Sequence, residues 1–383
     1  MAGFGFSESQ EMFRRQVRNF VQKEIAPDAR LRSKQDSYPM NLIRRMGEMG
    51  LMGINQPEKY GGQPADWVTL GIGVEEVARG DFNLAIVPTL DAGFCLAFRL
   101  VPEDVQAEWL PRVISGEILA SVATTEPGCG SDVGSMTTRA VRQGDYYILN
   151  GEKTSITVGM QSEACIVFAK TDPTKKARGV SAFLVPLNSP GVHRSRLPDM
   201  GCKPMGRCSI ILDNVKVPVK YRMGEEGKGF YVVMGQFDLI RINLGLMALG
   251  AAQTSMEDAI GYAKQRTAFG SPLAKYEGIS FKIAEHCTRI EAARLLCYRT
   301  LWLRDQGQNH TKESAMCKFL GPKVAVAAIH DALLVHGHIG YSEEFPIEQR
   351  LRDVIGWEMA DGTAEIMKIV ISRELMGREF LPY

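Results

Sequence analysis

Asp91 is a carboxylate among apolar residues, a setting that suits a general base. If the stretch from Val87 to Phe98 is helical, Leu84, Val87, Phe94, Cys95 and Phe98 lie one or two turns away on the same face, so the carboxylate projects from apolar surroundings. A carboxylate buried without a partner is costly, and desolvation raises its pKa toward the range useful for general-base work. The competing expectation is that Pro88 opens the helix and Asp91 complements the first-turn dipole. A second carboxylate, Asp361, precedes Gly362-Thr363 and is open to two readings, a reacting group or the cap of the final helix.

Other chemistry-bearing patterns fail on spacing. Gly128-Cys129-Gly130-Ser131-Asp132-Val133-Gly134 has the order G-x-G-x-x-x-G and no parallel βαβ pattern around it, which excludes a dinucleotide fingerprint. Gly227-Lys228-Gly229 lacks the upstream glycine and the following Ser or Thr of a phosphate-cradling loop. His336-Gly337-His338 offers two imidazoles but no third ligand, so no metal is assigned.

The elements that must position these groups fall into three textures. Ser7 and Gln10 stand at capping-box spacing before a helix that runs to Ile25, and helical periodicity recurs at Leu42–Met49, Val68–Val77 and Val87–Phe98. Residues 1–118 therefore read as an α-helical domain. Short strand-like runs at 121–123, 146–149, 165–169, 180–185 and 210–217 predict a small barrel or sandwich over 119–228. Long helical patterns return at 231–266, 279–305, 312–336 and 364–376, predicting a four-helix bundle over 229–383, with Gly224 to Gly229 as the connector. The fold class is α+β.

The 383 residues are 45% hydrophobic and 23% charged, which suits a multidomain globular protein and argues against disorder. Forty-five Lys and Arg against 44 Asp and Glu leave a net charge of +1, which disfavours nucleic acid as a partner. Eight cysteines without a C-x-x-C pair read as reduced thiols. The start shows no cationic-then-apolar leader and no run of 18 apolar residues occurs, so the expectation is a cytoplasmic protein without a membrane span.

Thr125-Glu126-Pro127-Gly128-Cys129-Gly130-Ser131-Asp132, Leu149–Lys153, Asp213–Pro218, Gly224–Phe230, Arg266–Gly270, Gly340-Tyr341 and Asp361-Gly362-Thr363 together resemble the flavin-dependent acyl-CoA dehydrogenases. The resemblance runs in order over nearly the whole chain. It implies an N-terminal helical, a central β and a C-terminal helical domain, a homotetramer, FAD shared across a subunit interface, and electron-transfer flavoprotein as electron acceptor. By the same resemblance Thr125, Gly130, Ser131, Ser155 and Thr157 match cofactor positions. Arg266 and Phe269 match residues reaching a neighbouring subunit's FAD, and Gly337, Thr363 and Glu365 further cofactor positions. Phe237, Asp238, Arg241 and Gly362 match substrate-holding positions for the CoA thioester.

Departures from that pattern bear on the substrate. Leu334 replaces the family's usual glutamine, His338 its second glycine and Ser155 its flavin-side aromatic, the last leaving room for a bulky acyl group. Most members place Glu where Asp361 stands, and the loss of one methylene retracts the carboxylate by ~1–1.5 Å. The family's alternative base position, one residue before Arg241, is Ile240. Asp91 is the remaining candidate, on a helix that in the family lines the acyl pocket.

This pattern is similar to the alicyclic acyl-CoA dehydrogenases of anaerobic aromatic degradation. It implies removal of the C3 proton of cyclohex-1-ene-1-carboxyl-CoA by Asp91, with Asp361 vestigial or auxiliary, giving cyclohexa-1,5-diene-1-carboxyl-CoA and onward benzoyl-CoA. The alternatives are 1,2-dehydrogenation of cyclohexanecarboxyl-CoA or a short branched acyl-CoA with Asp361 as base, or a catalytically silent flavin- and CoA-binding scaffold.

Overall fold

A computed structural model describes residues 5–381. Ser7 caps α1 (Glu8–Phe20) through the full capping box with Gln10, and the helix continues into a π-turn over Val21–Ile25. The short α2 (Ala29–Arg32) and then α3 (Met40–Glu48), α4 (Trp67–Gly80), α5 (Ile86–Phe98) and α6 (Glu103–Ile114) complete the first helical part. The apolar faces of α1, α3, α4 and the start of α5 close on a core that is continuous with the last part of the chain, while α6 and the end of α5 turn to the central part.

The central part is one eight-stranded sheet: β1 (Leu119–Ala123), β2 (Arg139–Gln143), β3 (Tyr146–Ile156), β4 (Ser162–Lys170), β5 (Val180–Pro186), β6 (Val192–Arg196), β7 (Cys208–Pro218) and β8 (Arg222–Met223). The order is β6-β7-β3-β2-β4-β5-β8, with β1 parallel to β4. Alternation along β4 and β5 sorts two cores. Ile166, Phe168, Ala182 and Leu184 pack with α5 and α6, whereas Cys165, Val167, Phe183 and Val185 face Tyr147, Leu149 and Ile210 of β3 and β7. The bent sheet therefore closes over its own second core, which gives the expected sandwich character. Three of the eight strands were not legible beforehand, β2, β6 and the two-residue β8. In β2 and β6 the side chains are mostly exposed and polar, so pairing defines them and apolar period does not.

The last part holds α7 (Gly229–Gln265), a β9–β10 hairpin (Thr267–Ala268, Ser271–Pro272), α8 (Glu277–Asp305), α9 (Thr311–His336), the single turn α10 (His338–Tyr341), α11 (Pro346–Ile355) and α12 (Ala364–Met376). Helix α7 is the axis of the molecule and packs on α4, α5, α8 and α9. By length and mean hydropathy (1.4 and 1.3) α7 and α9 are long and apolar enough to cross a membrane, but 72% and 50% of those windows are buried in the protein. Core helices of a bundle have this character.

Candidate active site

Asp91 sits in the second turn of α5, three residues after Pro88 and beyond the first-turn dipole, so the dipole reading does not describe it. It is 4% exposed. The expectation that it lacks a partner needs correction. The Gly53 amide donates to Oδ2 at 2.8 Å, and the Cys95 thiol, one turn further on, lies 3.7 Å from Oδ1. Burial outweighs both hydrogen bonds and lifts the carboxyl to about 6. Among the described residues no cation neutralises it. It lines a narrow apolar cavity of about 10 Å3, room for about one water, with Met52, Val87, Leu90, Leu119, Ala120 and Val158, so a ring can enter only if these side chains move apart.

Helix α5 meets α7 where Gly93 faces Ile240. A Cβ at Gly93 would stand 2.8 Å from Ile240 Cδ1, so a larger residue here would push the Ile240 side chain aside. Gln236, unremarked in the sequence, locks the crossing by donating from Nε2 to the Gly93 carbonyl at 2.8 Å. Ile240, at the alternative base position, is thus packing hydrocarbon.

One residue further, Arg241 is buried and turned inward. Its Nε donates to the Asp361 carbonyl at 3.1 Å, its guanidinium lies 5.0 Å from the Phe237 ring, and Asp238 is 3.9 Å away. Asp238 is tied to α9 through the Thr311 hydroxyl at 2.8 Å, and its carbonyl accepts from Ser314 at 2.7 Å. Phe237 and Asp238 remain half-buried. Asp361 is half-buried with φ 51, and Gly362 follows with φ 101, a left-handed pair. Burial raises the Asp361 carboxyl, opposed by Lys318 and Arg241. Asp361 does not cap the final helix. Thr363 does, accepting from the Ile366 amide at 3.3 Å, while Glu365 is exposed beside Lys368 at 3.4 Å.

In the β part, the loop after β1 presents Thr125, Gly130 and Ser131. Glu126 holds it, accepting from the amides of Thr137 (2.6 Å) and Thr138 (2.9 Å) and from Lys153 Nζ (2.9 Å). The Thr125 carbonyl receives the Thr154 amide at 2.9 Å, which brings that loop to the end of β3, where Ser155 and Thr157 are half-buried. Ser155 has φ 60, and Arg207 donates to its hydroxyl at 3.3 Å. Another side chain therefore reaches the space left by the missing aromatic. Val158, adjacent to Thr157, walls the Asp91 cavity, so the β3 turn and α5 border one region.

A separate open groove of about 710 Å3 lies past the C-terminus of α7, lined among others by Tyr262, Arg266, Leu334, His336, Gly337 and His338. Arg266 and Gly337 thus come together in one protomer. Phe269 nearby is 100% exposed with φ 48. His336 hydrogen-bonds the Ala332 carbonyl at 2.8 Å and stacks on Tyr262. Among the described residues no cluster of three metal-ligating side chains occurs.

Comparison with known proteins follows this geometry. Family models for the acyl-CoA dehydrogenase N-terminal, middle and C-terminal domains match residues 7–117, 121–215 and 227–376. An acyl-CoA dehydrogenase of Bacillus subtilis is 38% identical over 97% of this chain and 99% of its own. The short-chain specific acyl-CoA dehydrogenase of rat mitochondria is 35% identical over 96% and 90%. The caffeyl-CoA reductase-Etf complex subunit CarC of Acetobacterium woodii is 36% identical over 97% and 100%. Among solved structures, butyryl-CoA dehydrogenase from Megasphaera elsdenii superposes with a TM-score of 0.94 at 32% identity, covering 98% and 100%. A glutaryl-CoA dehydrogenase from Mycobacterium smegmatis in complex with FADH2 gives 0.91 at 25%, covering 97% and 96%. Three domain models in register and relatives matched over nearly their whole length lead to one conclusion: the chain belongs to the acyl-CoA dehydrogenase family, oxidoreductases acting on CH–CH groups.

Proposed function

We propose that this protein is an FAD-dependent dehydrogenase of alicyclic acyl-CoA thioesters, acting by 1,4-elimination on cyclohex-1-ene-1-carboxyl-CoA with Asp91 as the base. The observation that carries the reading is a cation-free carboxylate buried in an apolar cavity beside the α5–α7 crossing.

The residues present suit FAD. Gly128 and Gly130 face open space, Ser131 is exposed, and Thr125, Ser155 and Thr157 are half-buried around the same loop, offering small polar groups where a flat cofactor with a polar edge can approach. The groove with Arg266 and Gly337, and the exposed Phe269, suit cofactor reach from a second protomer, which supports the homotetramer. Thr363 and Glu365, at the head of α12, are further candidates. When bound, FAD supplies the hydride acceptor.

Asp91 takes the proton from C3 of the ring, which the C1–C2 alkene conjugates to the thioester, and hydride departs from C6. The product is cyclohexa-1,5-diene-1-carboxyl-CoA, and a second round gives benzoyl-CoA. An anion in an apolar cavity is a stronger base than in water, and the Gly53 amide and Cys95 thiol hold it in one orientation. Phe237, Asp238 and Arg241 anchor the CoA part, with Arg241 and Gly362 also shaping the turn at Asp361. Electrons pass to an electron-transfer flavoprotein, in keeping with the Etf complex of the Acetobacterium relative.

The test is product analysis with cyclohex-1-ene-1-carboxyl-CoA and cyclohexanecarboxyl-CoA, each with an artificial electron acceptor. Diene formation that Asp91→Asn abolishes and Asp361→Asn spares supports the reading. A 1,2-alkene from the saturated thioester, abolished by Asp361→Asn, establishes the second reading, which the half-buried Asp361 on a held turn favours.

A further inference from the structure

Lys318 of α9 is 1% exposed, yet among the described residues no carboxylate touches it; its ammonium donates instead to the carbonyls of Trp357 (2.6 Å) and Gly362 (3.2 Å). A buried ammonium bound only through peptide oxygens is an expensive way to fill space, since methionine would pack there without desolvation cost. The position asks for another reason.

The stretch it grips ends in the left-handed pair Asp361–Gly362, a conformation that L side chains rarely adopt. Arg241 holds the same turn from α7 through the Asp361 carbonyl at 3.1 Å. Three carbonyls within one short segment are thus turned toward two buried cations on two different helices. Because a peptide unit is planar and trans, aiming the carbonyls of Asp361 and Gly362 at these cations aims the following amides, of Gly362 and Thr363, the opposite way.

We propose that Lys318 is a positioning residue of the acyl site: from behind, and together with Arg241, its ammonium fixes the Asp361–Gly362 turn in the orientation that substrate meets. This rests on the reading above that Gly362 is a substrate-holding position. The charged groups facing Lys318 are Asp361 and Glu358 of the turn segment and Arg241 of α7, with Asp238 and Arg373 in turn facing Arg241. Burial lowers Lys318 to about 8, so the grip weakens as pH rises past that value and the amine loses its charge.

Hydrogen exchange on the holoenzyme tests this without substrate. The amides of Met359 and Ala360 bond the Gly356 carbonyl, and those of Ile366 and Met367 bond Thr363, so they report the two ends of the turn. In Lys318→Met at pH 7 their protection should fall about tenfold, with Ile329–Ala332 of α9 unchanged; wild type, corrected for intrinsic exchange, should show the same loss between roughly pH 7 and 9. Equal protection in variant and wild type, or loss spread along α9, overturns the proposal. If Lys318→Met does not fold, the wild-type pH series and Lys318→Arg decide, because arginine keeps the charge and should hold the turn above pH 8. In turnover the variant should lose about tenfold or more in kcat with KM within about twofold, measured with both cyclohex-1-ene-1-carboxyl-CoA and butyryl-CoA. A KM rise with kcat intact refutes it. Inactivity of wild type toward the cyclic thioester sinks the substrate reading alone and leaves the exchange result standing.

Discussion

Two buried carboxylates, Asp91 and Glu126, are equally shut off from solvent at 4% exposure and titrate in opposite directions. Glu126 meets Lys153, itself 0% exposed, and two backbone amides, and these bring it down to about 2. Asp91 meets one amide and one thiol and no cation, and is pushed up to about 6. Burial raises both carboxyls; what differs is whether a neighbouring cation offsets it. The compensated carboxylate ties a loop to a strand and is chemically inert near neutrality. The uncompensated one keeps its basicity and can take a proton.

Asp91→Asn should reduce flavin bleaching by the substrate thioester about 10^3-fold in stopped-flow at pH 8, with the protein still yellow; near-normal bleaching removes Asp91 from the mechanism. Glu126→Gln should cost ~3–5 kcal/mol in urea unfolding at neutral pH, because it strands a buried ammonium. The Glu126 carboxylate in wild type contributes stability above its unfolded pKa of about 4 that disappears as pH falls toward 2.

The pH profile separates the two sites further. Asp91 acts as a base only when ionised, so kcat/KM should rise through about pH 6 and then level, whereas a flat profile across that window excludes it. Linkage gives a smaller effect of opposite sense. A carboxyl raised in the folded state contributes stability that is complete below its unfolded pKa and is lost as pH climbs through about 6. Asp91→Asn, which retains an oxygen for the Gly53 amide, should therefore melt a few degrees above wild type at pH 8 and at the same temperature near pH 4. Smallest of all, Cys95→Ala removes a donor to the carboxylate and should move the kinetic midpoint upward by a few tenths of a unit.

Much of this architecture was legible in residue pattern. The Ser7–Gln10 box marks the first helix, Ala364–Met376 is a helix over the expected span, and the apolar neighbours of Asp91 are buried as periodicity requires. Edge strand β6 escaped notice because a solvated strand needs no apolar alternation. Helix α6 carries Pro111 in its interior, and α11 opens on Pro346, signals that read as breaks. The candidate site divides the same way. Side chains carried by a motif, such as Thr125, Arg241 and Thr363, could be named, but their contacts within the chain could not: Arg241 donates to the Asp361 carbonyl, and of the two readings open for Asp361 the helix cap falls instead to Thr363.

Residue order alone determined the family, the three-part succession of helices, strands and helices, and an acid placed among apolar neighbours on α5, since each is written in local spacing. Tertiary structure alone decided the partners. Gly53 reaches Asp91, Gln236 reaches Gly93, and Lys318 grips Trp357 and Gly362. Hydrogen bonds between residues far apart in the chain leave no period to read, and it is these contacts that set whether a buried charge is neutralised or left able to react.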